Sequence, residues 1–264
     1  MQVLNPEKVQ AIVCIDVDGT ILRKEGDNHK WENESWLLLT AGFGASVETH
    51  QEIYGRYRKK ITLHKKNDQI LHDRMVKELI TLWKNAWGPT ITREVLAGAC
   101  RMIQNQIAEE FKATVEELVS NRILVLIGTG GFELAAQAIA EALNLEKQFG
   151  KEADKYNLKY WFGNTQFIFD ENDILIGFEH DKNIPARKAA QATQKFHDIF
   201  KILNKEVPVF AVSDGLSDFV LFASTYGIAF HASDENFILA AEAKTNDWKT
   251  VAKIILDHLD ENSV

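Results

Sequence analysis

The stretch Ala11-Ile-Val-Cys-Ile15-Asp16-Val17-Asp18-Gly19-Thr20 runs from five mostly apolar residues straight into two aspartates one residue apart, then Gly-Thr. Ala11 to Ile15 reads as a strand buried on both faces, the pattern of a parallel sheet. Asp16 then stands at the carboxyl edge of that strand, and Gly19 turns the chain. Open α/β sheets bind ligands at this edge, where the direction of winding switches. Two carboxylates placed there, with no Lys or Arg beside them in the motif, are costly unless a cation joins them. The chemistry that fits is metal-assisted work on phosphate.

Three further apolar runs resemble the first: Ile123–Ile127, Val207–Val212 and Gly227–Phe230. Each is short, bounded by turn residues and neighboured by helical periodicity, as in Phe132–Leu143 and Asp218–Ser224. Alternating strands and helices predict a parallel sheet with right-handed crossovers, a Rossmann-like α/β architecture. Tyr160–Phe169 and Ile174–Phe178, separated by Asp170-Glu-Asn-Asp173, read instead as a hairpin. Between Ile21 and about Gln106 helical patterns dominate, over Glu34–Leu39, Val47–Lys60, Asp68–Trp83 and Thr92–Ile107, with a break at Gly88-Pro89. Such a block is too long for a loop. It reads as a helical cap, residues 23–106, inserted into a sheet domain of residues 1–22 and 107–264. The alternative is extra helices packed on the same core.

The 264 residues are 45% hydrophobic and 26% charged, the composition of an ordinary globular protein. No basic start with an apolar stretch behind it marks a signal peptide, and no apolar run is long enough to span a membrane. Cys14 and Cys100 make no disulfide framework, so a reducing cytoplasm is expected. A net charge of −8 argues against non-specific nucleic-acid binding and against an anionic membrane surface. The basic stretch Arg56–Lys66 reads as a solvated helix face, or as a device that draws anions to the cleft. Oligomeric state is not legible.

Four elements stand in order at strand ends or helix starts: Asp16-Val-Asp18-Gly-Thr20; Gly128-Thr129-Gly130-Gly131-Phe132; Arg187-Lys188; and Ser213-Asp214-Gly-Leu-Ser217-Asp218. Taken singly each has a structural reading, since Asp-Gly favours turns and a lysine near a helix start is usually solvated. Thr-Gly-Gly becomes a phosphate cradle only when a helix follows it, and Phe132–Leu143 supplies one.

Together the four resemble the haloacid dehalogenase superfamily, and within it the phosphoserine phosphatase-like branch. Asp16 to Thr20 is similar to the family's first motif, Thr129-Gly-Gly-Phe132 to the branch's Ser-Gly-Gly-Phe, and Ser213 to Asp218 to the fourth motif. Gly227-Ile-Ala-Phe230 follows as it does in the branch. The resemblance spans the sheet domain, while the helical block matches the branch's cap in position and hardly in sequence. Ser213 replaces the usual Gly of the fourth motif, and Ser217 stands where Asn is common.

The resemblance implies a magnesium-dependent phosphomonoester hydrolase acting on a small phosphorylated metabolite. Asp16 would be the nucleophile that forms an aspartyl-phosphate. Asp18 would be the general acid for the leaving alcohol and then the base for water. Thr129, with the amides of Gly130 and Gly131, would hold phosphoryl oxygens, and Lys188 would neutralise their charge and restrain Asp16. Magnesium would rest on the Asp16 carboxylate, the Asp18 carbonyl and Asp214, with Asp218 orienting the shell. Lys182 rivals Lys188; Lys188 is preferred for its place in the helix after Pro185 and its separation from Asp214. No His/Cys set has zinc-ligand spacing.

For the leaving group, Glu25 falls nine residues beyond Asp16, where phosphoserine phosphatases carry an amine-reading glutamate. Arg74 resembles the branch's carboxylate-binding arginine. Glu25 also reads as part of a solvated charge run and Arg74 as a helix-surface residue. Trp31, Trp36 and Trp83 either shape a pocket or fill a core. Two other functions remain open from sequence: a phosphotransferase using the same aspartyl-phosphate, and a binding or regulatory protein with weak catalysis.

Overall fold

The computed structural model describes residues 3–22, 34–63, 68–150, 158–180 and 184–262, with backbone alone at 34, 58–63, 68–69 and 184–185. Strand β1 (Ala11–Asp16) is buried at every position. The others are β2 (Ile123–Phe132), β3 (Trp161–Phe169), β4 (Leu175–Glu179), β5 (Val209–Ser213), β6 (Tyr226–Phe230) and β7 (Ala243–Thr245). They form one seven-stranded sheet in the order β4-β3-β2-β1-β5-β6-β7. Every pairing is parallel except that of β3 with β4, the expected hairpin.

β1 lies at the centre, in register with β2 from Ala11↔Ile123 to Asp16↔Gly128 and with β5 from Ile12↔Val209 to Ile15↔Val212. From β1 the chain builds outward on one side through β2, β3 and β4, then crosses to build the other side. The carboxyl ends of β1, β2 and β5 therefore meet at the switch point, where backbone groups turn away from the ladder and leave room for a ligand.

The helices that cover the sheet show why they form. In α6 (Glu109–Ser120) the buried Phe111, Val115, Leu118 and Val119 recur at helical spacing. In α7 (Glu133–Ala142) the buried face is mostly alanine, which lets the helix approach β3 closely. A side chain at Gly163 would clash with the Glu133 backbone at 2.5 Å. Helix α8 (Ile184–Leu203) leads back to β5. Short α9 (Phe219–Phe222) and α10 (Glu235–Leu239) follow, and α11 (Trp248–Glu261) closes the chain, capped by Asp247 accepting from the Thr250 amide at 2.8 Å.

Between β1 and α6 lie α1 (Glu34–Gly42), α2 (Val47–Leu63), α3 (Asp68–Trp87), α4 (Arg93–Ala99) and α5 (Arg101–Gln104). The single helix expected over Thr92–Ile107 is divided at Cys100. One apolar cluster runs through both these helices and the sheet. Trp36 packs edge-on to Phe132 at 5.0 Å and Phe167 at 6.2 Å, and stacks with Trp83 at 6.1 Å. Trp36 and Trp83 thus fill the core; Trp31 lies outside the described residues. The α3–α4 link is tied to the hairpin by the Leu175 amide on the Ile91 carbonyl at 2.8 Å and the Arg93 amide on the Asp173 carbonyl at 3.0 Å. Among the described residues no helix is long and apolar enough to cross a membrane.

Polar groups inside the helical block are matched to one another. Thr40 Oγ1 accepts from Trp83 Nε1 at 2.9 Å and meets His50 Nδ1 at 2.7 Å, and burial holds the imidazole down at about 4. Thr40→Val keeps the volume but strips both partners of their hydrogen bond. Its expected cost is about 1–3 kcal/mol, read as a lowered denaturant midpoint with an unchanged m-value.

Candidate active site

At the end of β1 the chain folds into a tight turn. The amides of Thr20, Ile21 and Leu22 all point at the Val17 carbonyl, and Gly19 takes φ +80°, which a side chain resists. This turn places Asp16 and Asp18 at the same mouth. The end of β5 brings Ser213 and Asp214 alongside, where the Asp214 amide donates to Thr20 Oγ1 at 3.1 Å. A Cβ built on Gly19 would overlap the Asp214 carboxylate. That acid therefore lies directly against the turn carrying the first two, although 196 residues separate it from Asp18.

Lys188, the fifth residue of α8, enters with its side chain 1% exposed. Its Nζ donates to Asp16 Oδ1 at 2.5 Å and to Asp218 Oδ2 at 2.7 Å. Asp218 also accepts from Ser213 Oγ at 2.6 Å and from Ser217 Oγ at 3.2 Å. Ser213 and Ser217, the two departures from the family's fourth motif, both serve Asp218. Lys182 and Glu25 lie outside the described residues.

Thr129, fully buried at the end of β2, donates to Asp18 Oδ2 at 3.4 Å and accepts from the Gly131 amide at 2.8 Å. In this arrangement the Gly131 amide is committed to Thr129, while Gly130 lies half-buried beside it. Asp18 is held from the other side by Ser35 of α1, whose amide donates to Oδ1 at 2.7 Å and whose Oγ donates to Oδ2 at 3.0 Å.

The electrostatics are set by burial first and by the close approach of like charges second. Burial pushes the Asp16 carboxyl well above the usual carboxylate range; Lys188 opposes this, and the charges of Asp218 and Asp214 add to it. Burial also raises Asp18, against the two hydrogen bonds from Ser35. Lys188 is held firmly protonated by Asp16 and Asp218 despite its burial. Among the described residues Lys188 bonds Asp16 and Asp218, and carboxylates gathered this closely are a setting that a divalent cation suits. Among the described residues no three His, Cys, Asp or Glu side chains gather into a metal cage. The groups that could hold a cation are two carboxylates, Asp16 and Asp214, with the main-chain carbonyl of Asp18. Hard oxygen donors few enough to leave room for water suit magnesium. Cys14, beneath the site in β1, is no rival nucleophile, because burial pushes its thiol far up.

Arg74 is exposed on α3, where its charge is felt by Tyr57; it is not among the residues gathered around Asp16. Two histidines that looked scattered in sequence are brought together, His72 of α3 stacking flat on His180 at 3.7 Å. Burial, then the neighbouring ring, holds His72 down at about 3. They stand by a cleft of about 550 Å³ between α3, the hairpin and α8, lined by Asp73, Lys77, Asn164, His180 and Arg187 among others. None of the four acids lines it. No sequence pattern joins residues 72 and 180; only the packing of α3 on the hairpin does.

No family model and no curated protein matches the sequence. Solved structures do. A phosphoserine phosphatase held as an analogue of its phospho-aspartyl intermediate is 21% identical, with 94% of this chain and 99% of that one covered at a TM-score of 0.57. A HAD family hydrolase from Salmonella enterica is 16% identical over 90% of this chain and 67% of that one, at 0.56. Cytosolic 5'-nucleotidase IIIB bound to cytidine is 13% identical over 97% and 86%, at 0.60. The chain has the fold these hydrolases share.

Proposed function

We propose that this chain is a phosphomonoester hydrolase that works through an aspartyl-phosphate on Asp16, requires magnesium, and acts on a small phosphorylated metabolite in the cytoplasm. One observation carries the reading: an ammonium with 1% exposure, Lys188, bonded to both Asp16 and Asp218, with Asp214 packed on the turn that bears Asp18. Burying that much charge is expensive, and a fold keeps it where the charge does chemistry.

The positions of the side chains support the following steps. Lys188 and Thr20 hold the Asp16 carboxylate at the mouth of β1, with Thr20 Oγ1 3.4 Å from Asp16 Oδ2. A carboxylate oxygen attacks phosphorus as the ester oxygen departs, and Asp18 gives that oxygen its proton. Thr129 and Lys188 bind the phosphoryl oxygens whose charge grows in the transition state. Asp18 then takes a proton from the water that releases phosphate and restores Asp16. A magnesium ion held by Asp16, Asp214 and the Asp18 carbonyl would neutralise phosphate charge.

Residues 23–106 are read as a cap that excludes bulk water and selects the leaving group. O-phosphoserine is the first candidate, in keeping with the fold's phosphoserine phosphatase relatives; Glu25 and Arg74 are the residues proposed to read its amine and carboxylate. The test is phosphate release from p-nitrophenyl phosphate and a panel of phosphorylated metabolites, with and without magnesium. Turnover abolished by chelation and restored by magnesium supports the reading, and no turnover of any ester removes it. Competing alcohols in the same assay separate hydrolysis from phosphotransfer by product.

Gly19→Ala tests the ion site separately. The new methyl group requires Asp214 to move and strains a backbone at φ +80°. The magnesium concentration for half-maximal activity is expected to rise about tenfold, equivalent to about 1.4 kcal/mol of binding. A magnesium titration of initial rates reads it directly.

A further inference from the structure

The geometry points to Ser35 as a positioning residue that couples α1 to the acid–base carboxylate Asp18, an inference that rests on the hydrolase reading above. Both oxygens of Asp18 are engaged by this one residue, Oδ1 by its amide at 2.7 Å and Oδ2 by its hydroxyl at 3.0 Å. Ser35 is fully buried. It belongs to the first turn of α1, whose free amides carry partial positive charge, so the contact suits a carboxylate. The adjacent Trp36 anchors the helix in the aromatic core against Phe132, and its Nε1 lies 3.3 Å from where a Gly131 side chain would begin. The same short segment thus touches the acid and borders the Thr129–Gly131 loop.

The two donors from Ser35 differ in what they tolerate. An amide only donates, so it fixes the position of Oδ1. A hydroxyl turns about its bond, so Oγ can keep its hold on Oδ2 while the acid proton faces the leaving oxygen and after that proton has passed to the alkoxide to give the free alcohol. The carboxylate then takes a proton from water as the water oxygen attacks phosphorus. Ser35 itself exchanges no proton with substrate. It holds the carboxyl plane aimed at the leaving group, and a displacement of about 1 Å in such a group costs roughly a hundredfold in rate.

The discriminating experiment compares two esters of similar shape. p-Nitrophenyl phosphate has a leaving group that departs without a proton, whereas benzyl phosphate has one that needs it. kcat/KM for each reports the steps up to departure. Ser35→Ala is expected to lower kcat/KM for benzyl phosphate at least about tenfold more than for p-nitrophenyl phosphate, since general acid catalysis is worth about 10²–10⁴ in rate. Ser35→Thr, which restores the hydroxyl, recovers most of that difference.

Equal losses on the two esters, or a threonine variant no better than alanine, overturn the inference and leave Ser35 a packing residue. Asp16→Asn run alongside keeps the two ideas apart. If it abolishes turnover while Ser35→Ala shows equal losses, only the role of Ser35 falls. If it leaves turnover of both esters intact, the aspartyl-phosphate reading falls and this inference with it.

Discussion

Asp16→Asn is expected to abolish phosphate release, by at least about 10³-fold in kcat/KM, which is about 4 kcal/mol of transition-state stabilisation. The substitution keeps the side chain's shape, and an amide oxygen still accepts from Lys188, so the pocket survives. What it removes is the anionic oxygen proposed to attack phosphorus. The fold should tolerate this change well. Burial already holds the Asp16 carboxyl well above its usual range, and Lys188 keeps its bond to Asp218 at 2.7 Å. A neutral amide removes a buried charge that burial and the Asp218 and Asp214 carboxylates disfavour, so the melting temperature should stay level or rise. Loss of activity with no loss of stability separates a chemical role from a structural one. Trapping with labelled substrate and acid quench gives an independent readout, because the wild-type chain should retain covalent phosphate and the variant none.

Much of this site was legible in advance because a parallel sheet writes itself plainly. Strands buried on both faces are continuous apolar runs, and Ala11–Ile15, Ile123–Ile127 and the run ending at Val212 each sit within or across an observed strand. A residue just past such a run stands at the sheet's carboxyl edge, so Asp16, Thr129 and Asp214 could be placed together without knowing any loop. Lys188 was the weakest single signal; its meaning came only from company, because a lysine at a helix start looks the same whether solvated or buried.

What escaped the sequence lies in contacts with no period. Ser35 meets Asp18 from 17 residues further along the chain, and nothing in Glu34-Ser-Trp marks a serine for that task. His72 and His180 meet only because α3 lies on the hairpin. Helix α11 is a different case, since Asp247 before Trp248, Val251, Ala252 and Ile255 is a cap followed by helical spacing. Its signal was present and unread. Strand β7 offers three half-buried or exposed residues and had little signal to give.

Lys188→Met should be the most damaging single change to the fold. Methionine replaces the stem almost atom for atom but leaves Asp16 and Asp218, 6% and 2% exposed, without their ammonium. Removing one partner from a buried charge pair costs about 3–5 kcal/mol, because the remaining charge is stranded in a poor solvent for it. The carboxyls have one escape, which is to take up protons. In the variant the native state then binds protons at a pH where the unfolded chain, with carboxyls near 4, has released them. More protons in the native state means that stability falls as pH rises. The deficit against wild type should therefore be largest near neutrality and shrink as the pH drops toward the ordinary carboxylate range, as denaturant titrations at several pH values will read. Activity should fall at least about a hundredfold as well, since the phosphoryl group loses its buried cation. Magnesium distinguishes the causes. In the proposed site a divalent ion shared by Asp16 and Asp214 would offset part of the lost charge, so it should restore some of the stability. It should restore little of the rate, because it does not replace the ammonium bonded to Asp16 Oδ1.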